Sequence, residues 1–361
     1  MIRYSTVHQG ISLGNAPQLA LGFLISFLAV YLSTPIFRKL AVRLKILDLP
    51  NKRKIHRKVT PLLGGLAIYL GILLGMCVDL KSLQFFLPAI LGTTFIVILG
   101  VIDDKRGLSA QVRFFCQVLI SLILIFSGTR ITFLPESLWG NIGEVILTIL
   151  WLVGVTNAYN YLDGMDGLAC GSAVINLLCF LIILYKTVQR ELLILPVTLM
   201  ASCLGFLRYN NFKRAKIFLG DAGSTLLGFL LAYISLAGNW AQDNVVKISI
   251  PILILGVPIF DMIFTTIMRI REEKIKTLIQ WLQYGGRDHF HHYLVDLGLL
   301  PKGAVVFIYF VSLSLGLSAI VLSDDSAWEA FLTLLQASII FGIIATLIVV
   351  GKRRRSGWGK V

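Results

Sequence analysis

The 361 residues are 57% hydrophobic and only 14% charged, far below the roughly 25% charged of soluble domains, which excludes an ordinary water-soluble globule. A formal charge of +14 would suit a nucleic-acid partner in a soluble protein, but the positions of the basic residues exclude that partner too.

Apolar runs recur near 17–38, 62–80, 83–102, 112–128, 142–159, 168–185, 192–207, 221–238, 248–268, 304–323 and 328–350. A hydrocarbon core of about 30 Å takes roughly 20 apolar residues per helix. The eleven runs therefore predict an all-α integral membrane protein with about eleven transmembrane helices. The fourth and seventh runs are short, and the eighth opens on a polar GDAGS stretch that reads as a helix entrance. With a cytoplasmic C-terminus, the inner segments 38–60, 103–113, 208–220, 269–303 and 352–361 hold 27 of the 33 Lys and Arg residues. Outer segments keep only Arg3, Lys81, Arg130, Lys186, Arg190 and Lys247. That asymmetry is the positive-inside pattern and puts the N-terminus outside. It implies a multi-pass protein of the inner, cytoplasmic membrane, with the lipid bilayer and not nucleic acid as partner.

Residues 1–16 lack a compact apolar core followed by a cleavage site, so no removable signal peptide is expected. Cys77, Cys116, Cys170, Cys179 and Cys203 sit in or beside apolar runs without CxxC spacing, as packing residues do. No linker or repeat divides the chain, so residues 1–361 read as one membrane domain. Its site is expected from the inner loops 39–61, 103–113, 157–171, 208–225 and 269–303.

The first of these loops, LDLPNKRKIHRKVTPLLGG (47–65), sets Lys54 and His56 in a basic run before a membrane helix. Such a run serves topology alone, or binds an anion. VIDDKRG (101–107) then places Asp103 and Asp104 side by side at a membrane boundary, followed by Lys105. Adjacent carboxylates repel, which favours a divalent cation or a raised pKa; a helix-ending acidic turn is the plainer alternative. In NAYNYLDGMDGLACG (157–171), Asn157, Asn160, Asp163 and Asp166 recur at three-residue intervals, so that a helical turn would bring them to one face. Asx-turns in an ordinary loop would also supply such residues.

RYNNFKRAKIFLGDAGSTLLG (208–228) joins basic residues to Asp221 at a helix start. Free N–H groups there suit a phosphate, and an N-cap role for Asp221 is the alternative. The stretch EEKIKTLIQWLQY (272–284) has helical apolar spacing and predicts a helix lying on the interface or packed on neighbouring loops. GGRDHFHHYLVDLG (285–298) gathers Arg287, His289, His291 and His292. Zinc is one reading of three His, but HExxH spacing and nearby Cys are missing, and phosphate binding is preferred. Asp261, inside an apolar run, is a costly intramembrane acid that functional sites or helix pairing retain.

Carboxylates, Lys, Arg and His gathered at one bilayer face fit a magnesium-dependent transfer between a soluble phosphate donor and a lipid acceptor. A secondary transporter, the rival of another class, would concentrate polar groups near the midplane.

In five ordered elements, DLPNKRKIH…PLLGG, the DD pair, NAYNYLDGMDGLA, FLGDAGS and the late His-rich loop, the chain resembles the polyprenyl-phosphate N-acetylhexosamine-1-phosphate transferases. These include the phospho-MurNAc-pentapeptide translocase of peptidoglycan synthesis. The resemblance implies transfer of a sugar 1-phosphate from a UDP-sugar to undecaprenyl phosphate, releasing UMP, with Mg²⁺ required or Mn²⁺ in its place. It assigns catalysis to Asp103, Asp104 and Asp221, and metal binding to Asp221 and Asp163. Substrate binding falls to Lys54, His56, Lys105, Arg113, Asn157, Asn160, Asp163, Asp166, Arg287, His289, His291 and His292. HFHHYL is closer to the H-x-H-H-R-L loop of the GlcNAc-1-phosphate transferases that start O-antigen, enterobacterial common antigen or teichoic-acid linkage synthesis than to the translocase loop, although Tyr293 replaces the Arg. Homodimers are an option by analogy only.

Overall fold

The computed structural model describes residues 16–50, 59–211, 215–324 and 326–358. Lys54 and His56 lie outside the described residues. The elements run α1 Ala16–Arg43, β1 Leu47–Asp48, β2 Thr60–Pro61, α2 Gly64–Met76, α3 Leu80–Phe85, α4 Leu87–Arg106, α5 Ala110–Phe126, α6 Leu138–Leu162 and α7 Leu168–Lys186. They continue with α8 Ile194–Leu207, α9 Gly220–Ala237, α10 Asn244–Ile254, α11 Gly256–Arg271, α12 Leu278–Gln283, α13 Phe290–Asp296, α14 Pro301–Leu322 and α15 Ala327–Trp358.

Among the described residues, eight helices are long and apolar enough to cross a membrane: α1, α4, α6, α7, α8 with its preceding turn, α9, α14 and α15. α10 and α11 make a ninth if taken as one span bent by 77°. The apolar helices α2 and α5 are shorter, at 13 and 17 residues. Where the sequence predicts one run over 248–268, the chain breaks at Leu255. Pro258 is the physical reason, since it offers no N–H to residue 254 and its ring crowds that carbonyl.

α9 is the axis of the bundle and is almost wholly buried, packing on α4, α6, α2 and α7. Small residues permit that approach. A Cβ on Gly65 or Gly100 would overlap the backbone of Ala222 or Gly223, and one on Gly228 would meet Thr156. One apolar core runs from Val30 to Ile348, while Leu, Ile and Phe side chains of α1, α4, α6 and α15 face outward, as a lipid-facing surface does.

The helix predicted over 272–284 is reduced to the six residues of α12. α11 ends where Glu273 turns to φ 55° and the Lys274 N–H closes on the Arg269 carbonyl at 2.9 Å. Ile275 is buried by this turn, so the apolar spacing that looked helical serves a folded loop.

Candidate active site

The ends of α4, α6 and α11 and the starts of α2, α5, α7, α9 and α13 meet at one face of the bundle. A backbone seam holds that face together. Gly64 N–H donates to Phe218 O and Gly65 N–H to Leu219 O, both at 3.0 Å, while Phe218 N–H donates to Pro61 O at 2.9 Å. The short β1–β2 pair and the FLGD stretch are thereby fixed against each other.

The two aspartates of the DD pair do different jobs. Asp104 accepts the N–H groups of Asp221 (2.8 Å) and Ala222 (3.3 Å), so it occupies the N-terminus of α9. Gly220, at φ 71°, is required here, because a Cβ would overlap the Asp104 carboxylate. This corrects two sequence expectations. The N–H groups proposed for phosphate are taken by Asp104, and Asp221 lies inside the first turn and not at the N-cap, which is Leu219. Asp103 is buried and accepts Leu108 N–H at 2.6 Å and Arg113 Nη1 at 2.8 Å.

Asp221 accepts the Asn160 amide on Oδ1 at 2.6 Å, and the same amide reaches Ser224 Oγ at 2.9 Å. Its other oxygen is 3.8 Å from Arg113 Nη1. Among the described residues, Arg113 is the one cation within ion-pair distance of these carboxylates. Asp163, the C-cap of α6, donates its backbone N–H to Asn160 O at 3.4 Å, while its carboxylate makes no hydrogen bond or ion pair with any described residue. Desolvation, then the charges of Asp221 and Asp104, push its carboxyl well above the ordinary carboxylate range.

The four-residue series of this loop does not share a face, because α6 ends at Leu162. Asn157 turns to Gln117 Oε1 (2.6 Å) and the Val153 carbonyl (2.8 Å). Asp166 accepts Ala215 N–H at 2.9 Å, which fixes the turn. Gly167, at φ 80°, is held through its N–H by Asn210 and through its carbonyl by Tyr309, both at 2.7 Å. Lys105 and Arg287 are exposed at the rim.

In the late loop the three His are not equivalent. Both nitrogens of His289 are engaged: Nδ1 lies 3.2 Å from Asp261 Oδ2 and Nε2 lies 3.3 Å from an Arg269 nitrogen. Its ring stacks on Tyr161 with centroids 4.8 Å apart. His289 is therefore not free to act as the phosphate contact that the loop pattern suggests, and a three-His metal set is not available. His291 is buried with neither nitrogen partnered, and His292 Nδ1 is likewise unpartnered. Burial pushes His291 down to about 3 and His292 to about 4, so both are neutral at physiological pH. A Cβ on Gly164 would overlap His291 Nε2, so this imidazole lies against the residue after Asp163.

Beside Arg113 and Asn160 opens a small pocket of about 50 Å³, walled by Phe114 of α5, Val153 and Gly154 of α6, Met262 of α11, and Trp281 and Leu282 of α12. Its lining joins Arg113, Asn157 and Asn160 to the apolar side chains of Phe114, Val153, Met262 and Leu282.

Residues 86–239 match the sequence profile of glycosyl transferase family 4. The chain is 36% identical over 334 residues to a Bacillus subtilis (strain 168) protein named "Probable undecaprenyl-phosphate N-acetylglucosaminyl 1-phosphate transferase", covering 91% of each. The chain belongs to this family. It is also 32% identical over 327 residues to the decaprenyl-phosphate N-acetylglucosaminephosphotransferase of Mycobacterium leprae, covering 81% of this chain and 80% of that one. Identity to the undecaprenyl-phosphate alpha-N-acetylglucosaminyl 1-phosphate transferase of Escherichia coli K12 is 26% over 338 residues, 87% of this chain and 89% of that one.

The span that matches the family profile contains the DD pair, Arg113, the Asn/Asp loop and Asp221, while the His loop lies beyond it. Hard oxygen donors crowded together with one guanidinium fit a divalent cation of the Mg²⁺ type, which commonly takes one or two protein carboxylates plus water and substrate phosphate. Among the described residues no three His, Cys, Asp or Glu side chains stand close enough together to hold an ion. Gln117, Tyr161, Arg269 and Trp281 line or brace this site and were not singled out by sequence. Gln117 alone carries a signal, as a buried amide within an apolar run.

Proposed function

We propose that this multi-pass membrane protein transfers N-acetylglucosamine 1-phosphate from UDP-N-acetylglucosamine to undecaprenyl phosphate, releasing UMP and initiating a cell-envelope polysaccharide. The observation that carries the reading is the juxtaposition of Asp221 with Arg113, 3.8 Å apart, where Arg113 lines a pocket between α5, α6 and α11 whose other walls are largely apolar. An amphiphilic acceptor can place its phosphate at Arg113 and its chain along that pocket. The names of the family relatives support the acceptor and the transferred group.

In the reaction an oxygen of the lipid phosphate attacks the phosphorus that bears the sugar. The bond from that phosphorus to the bridging oxygen breaks, and UMP leaves with the bond's electrons. Arg113, steadied by Asp103, offers a fixed positive charge to the reacting anions. Asp104 secures the start of α9, and Asn160 orients Asp221, so this carboxylate is preset without substrate. Asp221 and Asp163 are the residues we assign to Mg²⁺, or Mn²⁺ in its place, which when bound neutralises phosphoryl oxygens. His291 and His292, neutral and unpartnered, are assigned to the donor's phosphates and sugar as hydrogen-bonding groups.

We assign eleven spans, with α2 and α5 as short ones, the N-terminus outside, and the charged face and C-terminus cytoplasmic, because the basic residues crowd that face. The polar groups gather there and not at the midplane, which favours an enzyme over a transporter. Purified protein with Mg²⁺ and undecaprenyl phosphate, offered UDP-GlcNAc, UDP-GalNAc or UDP-MurNAc-pentapeptide separately, should release UMP and form lipid diphosphate sugar with UDP-GlcNAc. Product only from the pentapeptide donor would make it a translocase, and folded protein inactive with all three would sink the reading.

A further inference from the structure

Asp261 has no place in the chemistry above, yet it is fully buried and accepts three donors. Phe290 N–H reaches Oδ1 at 2.7 Å, the Thr265 hydroxyl is shared between the same oxygen and the Asp288 carbonyl, both at 3.1 Å, and His289 Nδ1 stands 3.2 Å from Oδ2. Phe290 opens α13 and His289 is its N-cap, so this one carboxylate from α11 grips the first turn of the His-bearing helix. On the far side of the ring, Arg269 is forked on Asp288 at 2.7 and 3.0 Å and turns a nitrogen to His289 Nε2. A guanidinium nitrogen only donates, so Nε2 must carry the lone pair and Nδ1 the hydrogen. That hydrogen then points at Asp261. The two partners demand the same tautomer.

We propose that Asp261 is a positioning residue for donor binding: by holding His289 as its Nδ1–H tautomer and capping α13, it sets the rotation that lays His291 against Gly164, beside Asp163. The route is short. His289 is stacked on Tyr161, two residues before Asp163, and His291 follows two residues later on the helix whose start Asp261 fixes. The effect on the donor rests on the assignment of His291 and His292 given above; the tautomer does not.

The test uses the full-length protein in lipid nanodiscs. With ¹⁵N-histidine labelling, long-range proton–nitrogen spectra taken well above the ordinary imidazole pKa should show one ring, missing in His289→Gln, with its hydrogen on Nδ1. In Asp261→Asn the amide oxygen can still accept Phe290 N–H, but the amide nitrogen then donates toward Nδ1, which pushes the ring hydrogen to Nε2 against Arg269. The Nδ1–H signal should disappear and the donor KM rise about tenfold, the loss expected for hydrogen bonds to a charged group, while kcat and the lipid KM move little. Thr265→Val, a milder lesion that keeps the carboxylate, should raise the donor KM about two- to threefold and serves if Asp261→Asn does not fold. Glu at 261 restores the charge and should recover part of the Nδ1–H signal.

An Nε2–H tautomer in the wild type, or an unchanged donor KM in both variants, would overturn the proposal. A merely structural role would lower the melting temperature and the active fraction without separating the two KM values, which also overturns it. If the tautomer shifts as stated while only the lipid KM responds, the assignment of this loop to the donor falls.

Discussion

The carboxylate cluster and the histidine loop face the same turn at Asp163 and Gly164, yet they meet opposite electrostatic problems. Around Asp221 the carboxylates outnumber the cations among the described residues. Asp104, Asp163 and Asp221 crowd together, and Arg113 already shares itself with Asp103. In the histidine loop Arg269 is paired with Asp288 and Asp261 is held by its donors, Arg287 stands exposed at the rim, and the buried groups left over are neutral imidazoles. On the proposed function, one cluster takes up a cation and the other offers hydrogen bonds to a ligand that brings its own charge.

The largest effect should come from the first cluster. Asp221→Asn keeps an acceptor for Asn160 but removes the charge, and kcat/KM should fall at least about 100-fold, the scale of losing a preorganised electrostatic group. The protein should still be recovered folded from membranes, since the backbone contacts of Asp104 with α9 are untouched. Retained activity in a steady-state assay of UMP release would remove Asp221 from the metal role.

A smaller effect is expected from the second cluster. His291→Ala should raise the donor KM about tenfold and leave the lipid KM nearly as it is. Because burial holds His291 near 3 and His292 near 4, both imidazoles stay unprotonated from neutral pH down past their ordinary value of 6.5. The wild-type donor KM should therefore show no inflection of their making around that value. An inflection there that vanishes in His291→Ala would mean that His291 titrates normally and is not the buried group described.

This contrast explains how much could be read before folding. The apolar runs, the basic asymmetry and the site-bearing loops follow from composition and spacing, which are local properties. What each side chain does there depends on partners far away in sequence. Asp104 could be seen as an acid at a helix end, but its partners lie 117 and 118 residues on, at the start of α9. Three histidines within four residues look alike, and only Asp261 on one side and Arg269 on the other separate His289 from His291. The break after Ile254 carried a signal in Pro258. Residues 272–284 misled because burial of Ile275 in a loop imitates a helical stripe.

The finest test of the contrast reads stability instead of turnover. The Asp163 carboxylate has no partner among the described residues, and desolvation followed by the repulsion of Asp221 and Asp104 raises its pKa well above 3.8. A carboxyl whose folded pKa exceeds its unfolded one binds its proton more tightly when folded, so without a cation the ionised form costs stability at neutral pH, and that cost is relieved as pH falls through the folded value. In chelator at neutral pH, Asp163→Asn should thus melt higher than the wild type, by about 2 °C or more, and the gap should close on acidification. Mg²⁺ should raise the wild-type melting temperature and do much less for the variant, because a ligand stabilises only what it binds. If Asp163→Asn melts lower in chelator and gains as much from Mg²⁺, then Asp163 is a structural cap and the cation is held by Asp221 with other partners.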